Sequence, residues 1–453
     1  MPSLAKKILK GTLYLSGSNI FVKALSFLSF ALIVRNLTLV EYGQVILALA
    51  IMAPIQSIPA MGLSQIIISD IAKYRGEKKS QAVKALIFDY TRLNLFLGIF
   101  LIVLTWIFCS FLEKHYGIAL REYFFLLAPL AFMGICRNLL EIIFSSHERF
   151  DHLSFIQAQG AVVKLISIGL ILRFVGSLNV FLVFAIYLIA QTSVFLIGIP
   201  WSISILGHLK SISSQDKFIL WKTWRQHGKW GSFRLIVEQL TSSLKPWVLN
   251  FILGIESVAI FTMGRELYAV LTKVFPIQRV IFPIISRKIK EIKITLRIIY
   301  KSQKCLLWLN TPIFFLAFFI GPFFINWFFP QYSSSVPVFQ IFLLLIFLNV
   351  FRLGQSSLFF AFRQQKIISY IYFLKIFLFF LFLIPFSFWW GVKGAAFAAV
   401  SVVLIAILAE EYFLRKLYHI SSWDFKEFTM IDEYDKQLFS EILGKIKKTI
   451  FQI

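Results

Sequence analysis

Charged residues are scarce in this chain. Aspartate, glutamate, lysine and arginine make up only 15% of its 453 residues, whereas about a quarter of a typical soluble protein is charged. Hydrophobic residues make up 58% of the chain. A soluble domain of this length has too little interior to bury so much apolar side chain. The composition therefore excludes a globular protein in water and leaves the lipid bilayer as the solvent.

Residues for metal, redox or nucleotide chemistry are also few. The three cysteines, Cys109, Cys136 and Cys305, lie in apolar segments without paired spacing, so we expect neither a disulfide nor a metal site. The six histidines lie in predicted loops or in the carboxy-terminal tail. The chain has no Gly-x-x-x-x-Gly-Lys-Ser/Thr loop and no nucleophile paired with a base. We therefore expect no ATP hydrolysis, no enzyme activity and no cofactor.

Twelve apolar segments are long enough to cross a bilayer as helices, which takes about 20 residues each. They are too long and too continuously apolar for barrel strands. The predicted fold is therefore an all-α membrane protein with about twelve transmembrane helices. The predicted spans lie near residues 11–34, 43–68, 88–112, 122–145, 155–175, 179–206, 232–254, 258–285, 305–329, 336–361, 367–390 and 394–414.

Positive charge orients these helices. If the amino terminus is cytoplasmic, 30 Lys and Arg residues lie in cytoplasmic segments and 4 in loops on the opposite side. Cytoplasmic loops are enriched in Lys and Arg, so both termini are predicted to be cytoplasmic. The same enrichment accounts for the net charge of +24, and we expect no nucleic-acid partner. The basic start, 1–10, enters the first apolar segment without a cleavage site and is predicted to be retained.

The basic segment 207–231 divides the predicted spans into six and six. The predicted organisation is an amino-terminal six-helix lobe, 1–206, a cytoplasmic connector, 207–231, and a carboxy-terminal six-helix lobe, 232–416. Equal halves joined in this way suggest two parallel repeats about an axis along the membrane normal. The cytoplasmic tail, 417–453, has apolar residues at helical spacing beside several lysines. It fits either an amphipathic helix on the inner leaflet or a solvated tail.

Twelve of the 46 basic residues lie inside the predicted spans. Those near helix ends can extend to the headgroup region. Each deeper one costs about 2.5–3.5 kcal/mol at a helix centre if it faces lipid. Several of them follow polar helix faces, so we expect a water-filled cationic cavity between the two lobes. The predicted substrate-binding residues of this cavity are Lys23, Lys164, Lys245, Arg265, Lys273 and Arg352.

Embedded carboxylates neutralise only part of this charge. Arg137 and Glu141 are four residues apart and share a helix face, so they are predicted to pair. Glu266 adjoins Arg265, and adjacent helical residues point to different faces, so that pair is not expected. A surplus of deep positive charge remains, and phosphate or pyrophosphate suits such a site because lysine and arginine bind both strongly.

The energy source is left open by the sequence. A pyrophosphate that moves outward is driven by the membrane potential, so voltage alone is one option. Coupling to H⁺ or Na⁺ is another, and Glu238 and Glu266 are the candidate residues for it. Glu238 is equally explained as the structural partner of Arg234, which lies one helical turn away.

Three short motifs and the topology resemble a known family. The segment Arg35–Gly43 follows the predicted first helix, Met61–Leu63 lies in the second, and Phe282–Pro283 with Ser286–Arg287 marks the close of the eighth. Together with six-plus-six helices, they resemble the polysaccharide repeat-unit (Wzx-like) flippases of the multidrug/oligosaccharidyl-lipid/polysaccharide (MOP) exporter superfamily. The resemblance covers most of the chain and implies a MATE/MOP-like fold.

The resemblance also implies a function. Such a flippase moves an undecaprenyl-pyrophosphate-linked oligosaccharide, for O-antigen or other polysaccharide synthesis, to the periplasmic leaflet of the bacterial inner membrane. The expected partners are this lipid-linked oligosaccharide and membrane lipids, with a polysaccharide polymerase and chain-length machinery as candidates. Two alternatives stay open: a cation-coupled multidrug exporter of the same fold, and a non-transporting membrane enzyme or scaffold. Lys23, in a first helix without an acid, argues against the exporter.

Overall fold

The computed structural model shows a helical protein. It describes residues 21–60, 63–77, 79–116, 120–207, 229–272, 291–362 and 364–424, and these contain no strand. The all-α membrane fold is thereby confirmed, in keeping with the need of a lipid-exposed backbone to satisfy its own hydrogen bonds. Most of the predicted connector, 207–231, and most of the predicted tail, 417–453, lie outside the described residues.

The helices succeed one another along the chain with short connections. The first described helix, α1, occupies residues 21–36. It is followed by α2 (Leu39–Ser57), α3 (Ser64–Gly76), α4 (Ser80–Tyr116), α5 (Leu120–Ser146), α6 (Phe150–Phe174), α7 (Val180–Gly207), α8 (Lys229–Leu253), α9 (Ile255–Thr272), α10 (Ile292–Phe328), a 3-10 helix (Pro330–Ser335), α11 (Val336–Ala361) and α12 (Gln365–Tyr418).

Within the described ranges, eight stretches are long and apolar enough to cross a membrane. The longest of them, Lys366–Tyr418, is interrupted at Gly391, where φ is 58° and the helical geometry breaks. Glycine adopts positive φ readily because it has no Cβ. Two helices therefore meet at Gly391, between the predicted spans 367–390 and 394–414.

The prediction of one continuous second span, 43–68, was wrong. α2 ends at Ser57 and α3 begins at Ser64, so a turn interrupts the predicted span. Pro59 lies in this turn, and a proline has no backbone N–H with which to continue the helical hydrogen bonds. Hydrophobicity continues through the turn, which is why the apolar pattern alone missed the break.

Two helices are longer than the sequence suggested. α4 and α10 each have 37 residues, or about 55 Å at 1.5 Å per residue. The hydrocarbon core of a bilayer is only about 30 Å thick. α10 begins at Ile292, well before the predicted span at 305–329, and its added turns contain Lys293, Arg297 and Lys301. These basic turns extend the helix beyond the hydrocarbon core, on the side that the loop charges predict to be cytoplasmic.

The motif at Arg35–Gly43 forms the tight turn between α1 and α2. Thr38 caps α2: its Oγ1 accepts a hydrogen bond from the Glu41 backbone N–H at 3.2 Å, and the Thr38 N–H donates to the Glu41 carboxylate at 2.9 Å. This capping box satisfies backbone donors that a helix start leaves unpaired. It fixes the direction in which α2 leaves the turn.

The apolar core shows where the amino-terminal helices (α1–α7) and the carboxy-terminal helices (α8–α12) meet. The largest cluster of buried residues contains members of both sets, including Leu37 and Tyr42 from the first and Phe329 and Tyr332 from the second. The rings of Tyr42 and Tyr332 pack edge to face at 5.9 Å. Two smaller clusters belong to α3–α7 and the turn after α2, and a third belongs to α10–α12.

This distribution defines which side of the protein is closed. With the amino terminus in the cytoplasm, the ends of α1, α8 and α10 face outward, and the shared core includes residues at those ends. The clusters confined to one set of helices lie toward the cytoplasmic ends, around Ile71 and Leu414. With the orientation that the loop charges predict, the described helices form an inward-facing arrangement, sealed on the outer side.

Candidate functional site

A cavity of about 420 Å³ lies between the two sets of helices, on the cytoplasmic side of the seal. α8 and α9 line one wall, and α1, α2, α6 and α7 line the other. Apolar residues of α1 and α2 make up much of the surface. The polar and charged residues that line it are Tyr42, Lys164, Tyr187, Ser242, Ser243, Thr262, Arg265 and Glu266.

The two basic residues of this cavity, Lys164 and Arg265, lie near the middle of the membrane. Lys164 is ten residues before Phe174, the last residue of α6, and Arg265 is ten residues after Ile255, the first residue of α9. At 1.5 Å per residue, both are about 15 Å from the outer ends of their helices. Half of a hydrocarbon core is also about 15 Å. The cavity therefore places two cations where an unsolvated charge is most costly.

Lys164 is held against an aromatic ring. Its Nζ lies 4.1 Å from the centroid of the Tyr187 ring on α7, in cation–π geometry. α6 and α7 pack closely, which brings the two residues together. The ring stabilises the ammonium without neutralising it, so its charge remains available to a ligand in the cavity.

Arg265 and Glu266 form an ion pair within the cavity. The guanidinium Nη2 donates to Glu266 Oε1 at 2.9 Å, and the two side chains are 41% and 35% exposed. The expectation that these neighbours point apart was wrong, because the long arginine side chain reaches across to the next residue. The carboxylate offsets one of the two cavity cations, and a net positive charge remains.

The other predicted binding residues lie elsewhere or outside the described chain. Lys23 is exposed near the start of the described part of α1 and does not line the cavity. Lys273 lies outside the described residues. Lys245 points away from the cavity, with its Nζ 4.3 Å from the Phe379 ring on α12. Arg352 donates from Nη2 to the Tyr372 hydroxyl at 3.1 Å.

Lys245 and Arg352 instead belong to a second group of charges, which we call the carboxy-terminal charge cluster. It lies among α8, α11 and α12, and its members interact electrostatically. The predicted coupling residue Glu238 joins this cluster, whereas the other candidate, Glu266, lines the cavity. The cluster comprises Glu238, Lys245, Arg352, Lys375 and Glu410.

The sequence pattern did not single out Glu410. Glu410 and Glu411 are adjacent carboxylates near the carboxy-terminal end of α12, inside the predicted span 394–414. Both are nevertheless buried, at 6% and 4% exposure. Two adjacent acids within an otherwise apolar span were the available signal. Their burial depends on the packing of α12 against α8 and α11, which the sequence does not show.

The amino-terminal helices contain a polar contact that the sequence predicted. Arg137 Nε donates to Glu141 Oε1 at 3.2 Å within α5, which confirms that pair. Gln157 on α6 also donates to Glu141, at 3.5 Å. This carboxylate therefore has partners on two helices and is part of the internal structure of the lobe.

The turn between α5 and α6 contains the half-buried His147, outside the membrane-spanning helices. Its Nδ1 lies 2.9 Å from the Ile143 carbonyl oxygen. Burial lowers the pKa of His147, the hydrogen bond to Ile143 partly opposes that shift, and Arg75 and Arg149 lower the pKa further. The imidazole is therefore held neutral close to two arginines.

Solved structures show the same fold at low sequence identity. An inward-facing multidrug resistance MATE family transporter of the MOP superfamily superposes with a TM-score of 0.73 and 14% identity, over 87% of this chain and 94% of that one. The lipid II flippase MurJ, in an inward closed conformation, gives a TM-score of 0.72 and 13% identity, over 97% and 98%. An outward-facing MATE transporter gives a TM-score of 0.65 and 14% identity, over 90% and 95%.

These similarities place the protein among multi-span membrane proteins with the fold of the MOP superfamily transporters. The chain belongs to the polysaccharide biosynthesis protein family, whose sequence profile matches residues 8–289. This confirms the family that the sequence motifs and the six-plus-six topology suggested. No curated protein shows significant sequence similarity to the chain.

Proposed function

We propose that this protein is a flippase for a lipid-linked oligosaccharide with a pyrophosphate group. It moves the substrate from the cytoplasmic to the outer leaflet of a bacterial inner membrane by alternating access. The observation that carries the proposal is the cavity between the two sets of helices, which holds Lys164 and Arg265 at mid-membrane depth. Membership of a polysaccharide biosynthesis family supports a sugar-linked substrate.

The electrostatics of the cavity favour an anion. Two cations and one carboxylate line it, and the carboxylate is already paired with Arg265. A pyrophosphate brings several acceptor oxygens, which suit an ammonium on one wall and a guanidinium on the other. The inward-facing arrangement gives the cavity access to substrate from the cytoplasmic side. A polysaccharide polymerase on the outer side is the proposed recipient of the product.

A cation-coupled multidrug exporter is the second candidate, because a MATE transporter shares the fold. It is favoured only by Glu266, the single carboxylate among the residues that line the cavity. Export of a cationic dye from proteoliposomes tests it directly. Dye export that survives Lys164→Ala and fails in Glu266→Gln would support the exporter over the flippase.

The flippase is tested by transport of a lipid-linked oligosaccharide in proteoliposomes. Lys164→Ala and Arg265→Ala each remove a charge-assisted contact, worth about 1.5–3 kcal/mol. The expected result is a loss of substrate affinity of roughly 10- to 150-fold. Lys393→Ala is the matched control, since Lys393 is exposed and does not line the cavity. Wild-type transport rates in both cavity variants would overturn the assignment of the site.

A further inference from the structure

Glu410 and Glu411 are adjacent in sequence and both are buried, but their hydrogen-bond partners differ. They lie near the cytoplasmic end of α12, within the carboxy-terminal helices. Adjacent residues on a helix point in directions about 100° apart. One therefore faces the segment that follows α12, whereas the other faces the carboxy-terminal charge cluster.

Glu411 has a full set of hydrogen-bond donors. Its Oε2 accepts from the Ser422 hydroxyl at 2.6 Å and from the Ser422 N–H at 3.1 Å. Its Oε1 accepts from the Ser421 hydroxyl at 2.7 Å and from Arg415 Nε at 2.8 Å. This carboxylate is held in its charged form, and it fixes the segment after α12 to the helix.

Glu410 has none of these contacts. Its Oε2 is buried and accepts no hydrogen bond from the described residues. Across the same residues, no lysine or arginine forms an ion pair with it; Arg352 and Lys375 act on it only at longer range. Burying a carboxylate without a hydrogen bond disfavours the charged form. In this inward-facing arrangement, Glu410 is suited to hold a proton.

The two nearest cations are positioned by other groups. Arg352 donates from Nη2 to the Tyr372 hydroxyl at 3.1 Å, and Lys375 Nζ lies 4.9 Å from the centroid of the same ring. Tyr372 therefore holds both cations near Glu410 while leaving the carboxyl group unpaired. An approach of α11 to α12 would bring Arg352 toward the Glu410 carboxylate.

Protonation changes the charge balance of the cluster. With Glu410 ionised, three cations (Lys245, Arg352 and Lys375) face two carboxylates (Glu238 and Glu410), which gives 3 − 2 = +1. Binding one proton to the Glu410 carboxylate raises this charge to +2. The helices α8, α11 and α12 then carry mutually repelling charges, and release of the proton restores the attraction. Among the described residues, Tyr372 and Tyr268 also face the cluster at Arg352, and Arg265 acts on Lys245.

The cluster is separated from the substrate cavity by α8. Ser242, Ser243 and Pro246 of α8 line the cavity, whereas Lys245 points to Phe379 on α12. Lys245 also interacts electrostatically with Arg265 in the cavity. The two sites are thus distinct in space and are connected through the charges of α8 and α9.

We propose that Glu410, beside Arg352 and Lys375, is a proton-binding site of the carboxy-terminal helices, separate from the substrate cavity. Its role in coupling a proton to transport rests on the proposed flippase function. The proton enters as H⁺ from water, binds the carboxylate and leaves as H⁺. No other group is transferred. This assignment replaces Glu238 and Glu266 as the first candidate for coupling.

The proton site is tested without substrate, by infrared titration of the purified protein in nanodiscs. A buried carboxyl band that titrates across physiological pH is expected in wild type, absent in Glu410→Gln and restored in Glu410→Asp. Glu411→Gln and Glu238→Gln should retain it. Lys375→Met should move the titration to higher pH, because a cation that stabilises the carboxylate is lost. A band unchanged by Glu410→Gln would overturn the site.

Coupling is tested separately, by flipping under an imposed pH gradient at zero membrane potential. An acidic outer compartment should stimulate outward transport by wild type and by Glu411→Gln, and should have no effect on Glu410→Gln. Wild-type flux that ignores the gradient would overturn the coupling role. If wild type does not transport a lipid-linked oligosaccharide at all, the proposed function fails, and the infrared result decides the proton site independently.

Discussion

Gln331, in the 3-10 helix before α11, donates from Nε2 to the carbonyl oxygen of Leu37 at the end of α1, at 2.7 Å. The same amide also lies 3.1 Å from the carbonyl oxygen of Val34. The two residues are 294 positions apart in sequence. Their contact joins the amino-terminal and carboxy-terminal helices on the outer side. Hydrogen bonds as well as apolar packing therefore close this side.

Gln331→Ala should weaken the outer seal. It removes two neutral hydrogen bonds, each worth about 0.5–1.5 kcal/mol. A loss of about 1–3 kcal/mol shifts a two-state equilibrium by roughly 5- to 150-fold toward the outward-open form. Distance measurements between spin labels on the outer ends of α1 and α11 will report this population. Gln340→Ala is the control, because within the described ranges Gln340 donates its side-chain hydrogen bond only to Phe318, inside the carboxy-terminal helices. Equal outward-open populations in Gln331→Ala and Gln340→Ala would contradict a role of the Gln331 hydrogen bonds in closing the outer side.

Gly43→Ala should also open the outer side, by steric conflict. A Cβ at Gly43 would lie 2.6 Å from the backbone oxygen of Ile255 at the start of α9, and backbone cannot move aside as a side chain can. The expected results are a lower melting temperature of the inward-facing form and a longer distance between α2 and α9. Gly169→Ala is the control, since no atom lies within 4 Å of its added Cβ. A Gly43→Ala protein that behaves like Gly169→Ala would refute this close approach.

Membrane potential should drive outward transport of a pyrophosphate substrate. Moving one charge across the full potential is worth about 2.3 kcal/mol per 100 mV, so roughly two negative charges gain about 4–5 kcal/mol. Flux in proteoliposomes at equal pH on both sides is expected to rise when the compartment that supplies the substrate is made negative. Glu238→Gln should keep this voltage response. Flux independent of voltage would rule out the electrical drive.

Acid should destabilise the turn around His147. Its folded pKa is lowered by burial, so the unfolded chain binds the proton more tightly, and the stability given by the neutral ring is lost as pH falls. Melting temperature is expected to drop less in His147→Gln than in wild type between about pH 7.5 and 5.5. His419→Asn is the control variant. His419 is exposed, and asparagine tolerates the positive φ of 54° at this position. Identical pH profiles in all three proteins would contradict the prediction.

The membrane as solvent and the helical class follow from the sequence alone, and the orientation remains a prediction from it. Long apolar segments have only one stable backbone form in lipid, and loop lysines and arginines report the cytoplasmic side without knowledge of packing. The Arg137–Glu141 pair was equally predictable, because both residues lie on one helix at fixed spacing. The family followed from motifs that are also local in sequence, such as the turn at Arg35–Gly43.

Tertiary structure decided how the embedded charges are grouped. Spacing on one helix placed Lys245 and Arg352 on polar faces but could not say which neighbour each face meets. Packing of α12 against α8 and α11 directs both to the carboxy-terminal charge cluster, while Lys164 and Arg265 meet at the cavity. The different surroundings of Glu410 and Glu411 arise in the same way. Contacts between residues hundreds of positions apart, such as Gln331 with Leu37, depend on how whole helices dock, and a hydrophobic pattern fixes only which faces are buried.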